Sequence, residues 1–142
     1  ENKLSVTPKV KFYEGEEAVM KVYEEVIKEK GFCAFVNPGV NNKVMQIYFD
    51  KIEDAIHAKK LKVKEFVIDC KRGREYFRDA NTSNHKIKVL PKRVKFDSDT
   101  IITDEKVYMF SYDEREVAAV EIWNKVLAQT QRSMFEELWG RS

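Results

Sequence analysis

Three aspartates late in the chain, Asp97, Asp99 and Asp104, stand close enough in sequence to do chemistry together. Clustered carboxylate oxygens are what calcium or magnesium requires. An EF-hand loop is excluded, because Ile102 sits where its glycine must be. The three read instead as solvated turn residues flanking a strand, and no metal is expected. Two histidines are present, His57 and His85. His85 follows Asn81-Thr82-Ser83-Asn84, a loop composition that offers it no recognisable partner, and His57 lies where a helix should end. Acid–base or covalent histidine chemistry therefore has little to work with. Cys33 and Cys70 are embedded in the apolar runs 32–36 and 66–70, which suits buried, reduced thiols and a cytoplasmic protein. Their spacing is not that of a metal site, and no cofactor is expected.

The basic residues are candidates of another kind. Lys59, Lys60, Lys62 and Lys64 alternate with Leu61 and Val63, as they would where the solvated end of a helix runs into a strand. Lys71, Arg72 and Arg74 follow a strand-like run and could meet an anionic effector at a helix N-terminus. In an open α/β sheet ligands bind beyond the carboxyl ends of the strands. For this chain those ends are Glu14 and Gly15, the Asn37-Pro38-Gly39 loop, and Asp69 to Arg74. Glu14, Gly15, Asn37, Lys71, Arg72 and Arg74 are thus the candidate effector-binding residues.

The elements that must position these groups follow from periodicity. Residues 8–14 alternate as a strand, with Val10 and Phe12 on one face, and Gly15 breaks it. Glu16 and Glu17 suit a helical first turn, and Val19, Val22, Tyr23, Val26 and Ile27 form the apolar stripe of a helix ending at Gly31. Residues 32–36 are continuously apolar, as in a strand covered on both faces. A helix over 43–60 follows, carrying Val44, Ile47, Tyr48, Ile52, Ala55 and Ile56. Strands are expected at 63–68 and 87–90, with a short helix over 72–79 between them. Two strands, 100–103 and 106–111, form a hairpin around Asp104-Glu105, and 117–122 is a further strand. A closing helix begins at Asn124, a suitable N-cap, with Leu127, Met134, Phe135 and Leu138 as its apolar face. The aromatics Trp123, Phe135 and Trp139 are assigned to core or interface. The pattern predicts one α/β domain over 8–142, with about seven strands in a mostly parallel or mixed sheet flanked by helices on both faces. Residues 1–7 have no pattern and read as a linker remnant.

Bulk composition bounds the function. Of 142 residues 43% are hydrophobic and 35% charged, the mix of a folded globular chain and not of a disordered one. The 26 basic residues nearly cancel the 24 acidic ones, so no overall field would hold the chain on nucleic acid or an anionic membrane. No apolar run approaches the roughly 20 residues that span a bilayer.

Several segments together resemble the TrmB-type transcriptional regulators. Residues 8–17, a strand ending in Tyr13-Glu14-Gly15 that enters a helix, are similar to the stretch after the helical linker in that family. Residues 91–99 and the close, from Thr100-Ile101-Ile102-Thr103 through Met134-Phe135-Glu136-Glu137-Leu138-Trp139, are similar to its later segments. The resemblance implies a phospholipase-D-like fold, placed after a winged helix-turn-helix domain that this sequence lacks. Phospholipase D enzymes carry His-x-Lys-x4-Asp, whose histidine attacks phosphorus while the lysine holds a phosphate oxygen. At the matching place stand Asp97, Asp99 and Asp104, so nucleophile and phosphate clamp are both replaced by carboxylates that would repel a phosphodiester. His57-Ala58-Lys59 is no substitute, since Lys64 stands where the aspartate should be.

The resemblance therefore implies a catalytically inactive regulatory domain that dimerises and senses an effector, with DNA contacted only through the absent N-terminal domain. A phospholipase D site needs two copies of its motif and 142 residues supply one, which points to a homodimer. The alternatives are a phospholipase-D-like phosphodiesterase and a ligand-free structural interaction domain.

Overall fold

The computed structural model describes residues 9–40, 42–59, 61–113 and 116–142. The segment read as a linker remnant, residues 1–7, lies outside them. The elements run β1 (Lys9–Glu14), α1 (Glu16–Val26), β2 (Gly31–Val36), α2 (Lys43–Lys59), β3 (Lys62–Val67), α3 (Lys71–Ala80), β4 (His85–Val89), β5 (Ser98–Ile102), β6 (Lys106–Tyr112), β7 (Val117–Trp123) and α4 (Lys125–Arg141).

One seven-stranded sheet has the order β1-β7-β6-β5-β2-β3-β4. Of the two sheet types the sequence allowed, mixed is correct: only β2–β3 and β3–β4 pair in parallel, each joined by a crossover helix. The remaining pairs are antiparallel.

Alternation along the strands sorts side chains onto two faces. One face packs against α1, α2 and α3 through a core that includes Val19, Tyr23, Tyr48, Ile52, Ala34, Val63 and Tyr108. Gly15, at φ 90°, joins β1 to α1 in a backbone conformation that a side chain would strain, and its N–H donates to Val117 O at 2.8 Å. Among the described residues the other face meets α4 alone, where Phe135 and Trp139 pack with Phe35, Phe66, Ile102 and Cys33. Asn124 caps α4 as expected, its side chain accepting from Leu127 N at 2.9 Å.

Two expectations fail here. The closing helix does not bury Leu127, Met134 and Leu138, which are 42%, 57% and 40% exposed. The stripe it turns inward is Ala128, Phe135 and the half-buried Trp139, spaced i, i+7 and i+11. Cys70 is not a strand residue. It caps α3, with Sγ accepting from Gly73 N at 3.3 Å, and is half-buried, whereas Cys33 is buried and its thiol is pushed up to about 12 by that burial.

Paired residues align in rows across the sheet. One row on the α4 face reads Phe12, Val120, Met109, Thr100, Phe35, Phe66, Lys88, from edge to edge. The next reads Val10, Ile122, Val107, Ile102, Cys33, Lys64, Lys86. Both rows begin apolar at β1 and end basic at β4, and α4 crosses the sheet from the β5–β6 turn, where Asn124 N donates to Glu105 O, to β4, where Lys88 Nζ donates to Trp139 O.

Candidate functional site

The three aspartates do not converge. Asp97 is exposed in the approach to β5, and Asp104 lies past the opposite end of that strand, seven residues on and roughly 23 Å away at strand rise. Asp104 is 88% exposed and 3.6 Å from Arg132. Asp99, between them, is 2% exposed. Its Oδ1 accepts the Asn37 backbone N–H at 2.9 Å, and burial drives its carboxyl up to about 8, against the opposing pull of that hydrogen bond. Among the described residues no group of three or more His, Cys, Asp and Glu side chains is placed to hold a metal ion.

Asn37 organises the end of the sheet where Asp97 lies. Besides donating to Asp99 through its backbone, it donates from Nδ2 to Phe96 O at 2.7 Å and accepts Gly39 N on Oδ1 at 2.9 Å. These bonds pin the β2–α2 loop to the segment entering β5. Beside them opens a cleft of about 490 Å³ bordered by Asn37, Gly39, Asp69, Cys70, Phe96 and Asp97. On the helix side of this end the hydroxyls of Tyr23 and Tyr112 hydrogen-bond to each other, and burial raises both phenols.

Of the candidate effector residues, the structure places Asn37 at this cleft. Lys71 and Arg72 are exposed in the first turn of α3 and do not border it. Arg74 is engaged, its Nη1 donating to Asp69 Oδ1 at 2.5 Å. Glu14 and Gly15 lie at the same end of the sheet, but β1 is four strands from β2, roughly 19 Å away. The set is therefore not one site.

Sequence reasoning missed two constellations. His85, read as a loop residue without a partner, is the first residue of β4 and is 2% exposed. Its Nε2 is hydrogen-bonded to Glu65 Oε1 and lies 2.9 Å from Tyr76 Oη. Glu65, fully buried, also accepts Tyr48 Oη at 3.0 Å and Tyr76 Oη at 2.5 Å. Burial first, and the neighbouring Glu65 second, push both phenols well up. A carboxylate satisfied by three donors and sealed from solvent is built to hold α2, α3, β3 and β4 together. The signal was available: Glu65 occupies an inward position in the alternation Val63-x-Glu65-x-Val67.

The second is a groove of about 460 Å³ at the opposite end of the sheet from Asn37, on the α4 face. Lys30, Lys62, Lys64, Lys86 and Arg132 converge on it. The lysines read as a solvated helix end are in part this wall, because Lys62 and Lys64 point to one face of β3. Lys60 lies outside the described residues.

No protein-family model matches the sequence, and no curated protein matches it. Solved structures do. The archaeal chromatin protein TrmBL2, whose structure shows a novel mode of DNA binding, superposes at a TM-score of 0.58 and 17% identity over 99% of this chain. The chain spans 55% of the length of TrmBL2. NucT from Helicobacter pylori matches at a TM-score of 0.65 and 9% identity, covering 94% of this chain and 97% of NucT. Nuc from Salmonella typhimurium, a phospholipase D family member, matches at 0.59 and 15% identity, covering 94% and 95%. A mixed seven-stranded sheet that three separate helices cover on one face and α4 alone covers on the other is thus a phospholipase-D-like domain, the fold this chain shares with TrmBL2 and Nuc.

Proposed function

We propose that the chain is the regulatory, dimerising domain of a TrmB-like DNA-binding regulator and that it does not catalyse. The observation that carries this is the state of β5. By the resemblance, the place of the phospholipase D lysine falls to Asp99, which is buried beneath the surface and tied to Asn37 N. Neither histidine is hydrogen-bonded to it: His85 is engaged with Glu65, and His57 is exposed on α2. TrmBL2, a DNA-binding protein of which this chain spans about half, supports the regulatory half of the reading, and contact with DNA through a further domain is part of the same proposal. A cytoplasmic location fits, and no described helix is long and apolar enough to cross a membrane.

The second copy has a surface to meet. On the β1 side of α4 the sheet is bare, with Val10 and Phe12 48% and 74% exposed and Met109 44% exposed beside them. Met134 and Leu138 stand exposed on α4. Exposed apolar side chains gathered on one face in this way are what a second subunit would cover. Regulation would act as a shift between two dimer geometries, which an effector moves only by its differential affinity for them.

Sedimentation at roughly 50 micromolar, where a weak dimer still forms, should give about twice 16.7 kDa. Phe12→Asp should return the monomer. A chromogenic phosphodiester should stay intact. A wild-type monomer removes the dimer, and hydrolysis that Asp97→Ala abolishes establishes instead the phosphodiesterase, the reading favoured by the equally close fold of Nuc.

A further inference from the structure

The α4 face changes character on either side of its helix. Toward β1 it is apolar, and where β2, β3 and β4 begin it is a cationic trough. Lys64 and Lys86 face each other across the parallel β3–β4 pair, and Lys62 is two residues along the same face of β3. Like charges opposed across a strand pair destabilise a sheet, so this arrangement costs stability unless something anionic offsets it. The chain offsets part of it. Glu136 on α4 lies 3.0 Å from Lys64 Nζ, and Asp104 lies 3.6 Å from Arg132. Among the described residues no carboxylate comes within ion-pair distance of Lys30, Lys62 or Lys86. Five cations against two carboxylates leave the groove three positive charges in excess.

The shape selects the class of ligand. The groove is concave, at about 460 Å³, within the range that takes small molecules, and exposed Ser83 and half-buried Asn84 add neutral hydrogen-bonding groups at its rim. Its β2 wall is fixed by backbone contact, because a Cβ on Gly31 would meet Lys62 O at 2.4 Å. Lys88, farther along β4, is not available to a ligand, since its Nζ is spent on Trp139 O at 2.8 Å and Ser142 O at 3.2 Å. The charge is therefore concentrated at one end of the strands and does not form the long track a nucleic-acid backbone needs.

We propose that this groove binds a small multivalent oxyanion, an organic phosphate or polycarboxylate, held by Lys30, Lys62, Lys86 and Arg132. The effector of the regulatory reading then has a chemistry and a route of action, and this second clause rests on that reading. Arg132 and Glu136 face the groove from α4, while Met134 and Leu138 stand exposed to the other side. An anion that draws Arg132 inward and releases Lys64 from Glu136 moves the helix that borders the apolar surface.

The test is calorimetric titration of the chain with inorganic pyrophosphate, citrate and a duplex of about 20 base pairs. Saturable one-site binding is expected for pyrophosphate, citrate or both, and the stronger of the two assigns phosphate or carboxylate. Lys62→Glu and Lys86→Glu, exposed positions on separate strands, should each weaken it about tenfold, the value of one charge-assisted hydrogen bond. Lys71→Glu, at the far end of the sheet, should leave it unchanged, and matching thermal melts confirm that the variants fold. Absence of saturable binding, equal loss in Lys71→Glu, or tighter binding of the duplex than of either small anion overturns the proposal. Sedimentation of the same samples keeps the two readings apart, because a monomer that still binds pyrophosphate removes the dimer and leaves the groove.

Discussion

Asp99 is a carboxyl that the fold keeps protonated at neutral pH. Its ordinary value is 3.8 and burial takes it to about 8. Below pH 4 it is neutral in both folded and unfolded chains and costs nothing. Between about 4 and 8 the unfolded chain ionises while the native one holds its proton, so stability falls as pH rises through that window and levels off above it. Asp99→Asn retains an acceptor for the Asn37 N–H and removes the ionisation. Urea unfolding at pH 8 should find it more stable than the wild type by on the order of 5 kcal/mol, with the two nearly equal at pH 4. Parallel pH profiles would show that Asp99 ionises freely in the native state. That Asp97 and Asp104 flank a strand as solvated residues was legible, yet the state of Asp99 was not. Read with them as solvated, it lies within β5, and only the packed sheet shows that it is sealed from solvent. His85 was misread for a similar reason, since its partner Glu65 is 20 residues away and meets it through the β3–β4 pairing.

At the scale of elements, strand and helix periods were readable for all seven strands and four helices, with boundaries moving by a residue or two except in α1, which stops at Val26 and not at Gly31. What periodicity could not supply is which apolar stripe a helix turns inward. In α4 Leu127, Met134 and Leu138 are a better apolar set than Ala128, Phe135 and Trp139, but the aromatic pair fits the ring cluster of Phe35 and Phe66. Local propensity is likewise overridden at Gly73. Replacing a helical glycine by alanine ordinarily stabilises by about 1 kcal/mol. At Gly73, inside α3, the added Cβ would meet Ile68 O at 2.2 Å, a backbone atom that cannot move aside cheaply. Gly73→Ala should therefore destabilise by about 1–3 kcal/mol. Gly140→Ala, in α4 with nothing within 4 Å, should stabilise by up to about 1 kcal/mol. Denaturation midpoints moving the same way in both variants would refute the steric account.

Over the whole molecule, the strand that sits on the bare apolar face is also the one with the most distant partner. β1 hydrogen-bonds within the sheet to β7 alone, and its Tyr13 reaches Glu121 across a sequence separation of 108 residues. The β2–α2–β3–α3–β4 stretch, by contrast, closes through short crossovers, so most of the entropy of loop closure falls on β1. β1 should fray first. In native-state amide exchange its protons should open at a lower free energy than those of β2 and β3. A second subunit covering Phe12 and Val10 would latch the strand, and its exchange alone should then slow as protein concentration rises. Because β1 is where the segment before Lys9 enters the sheet, that latch would tell the upstream chain whether the two subunits are joined.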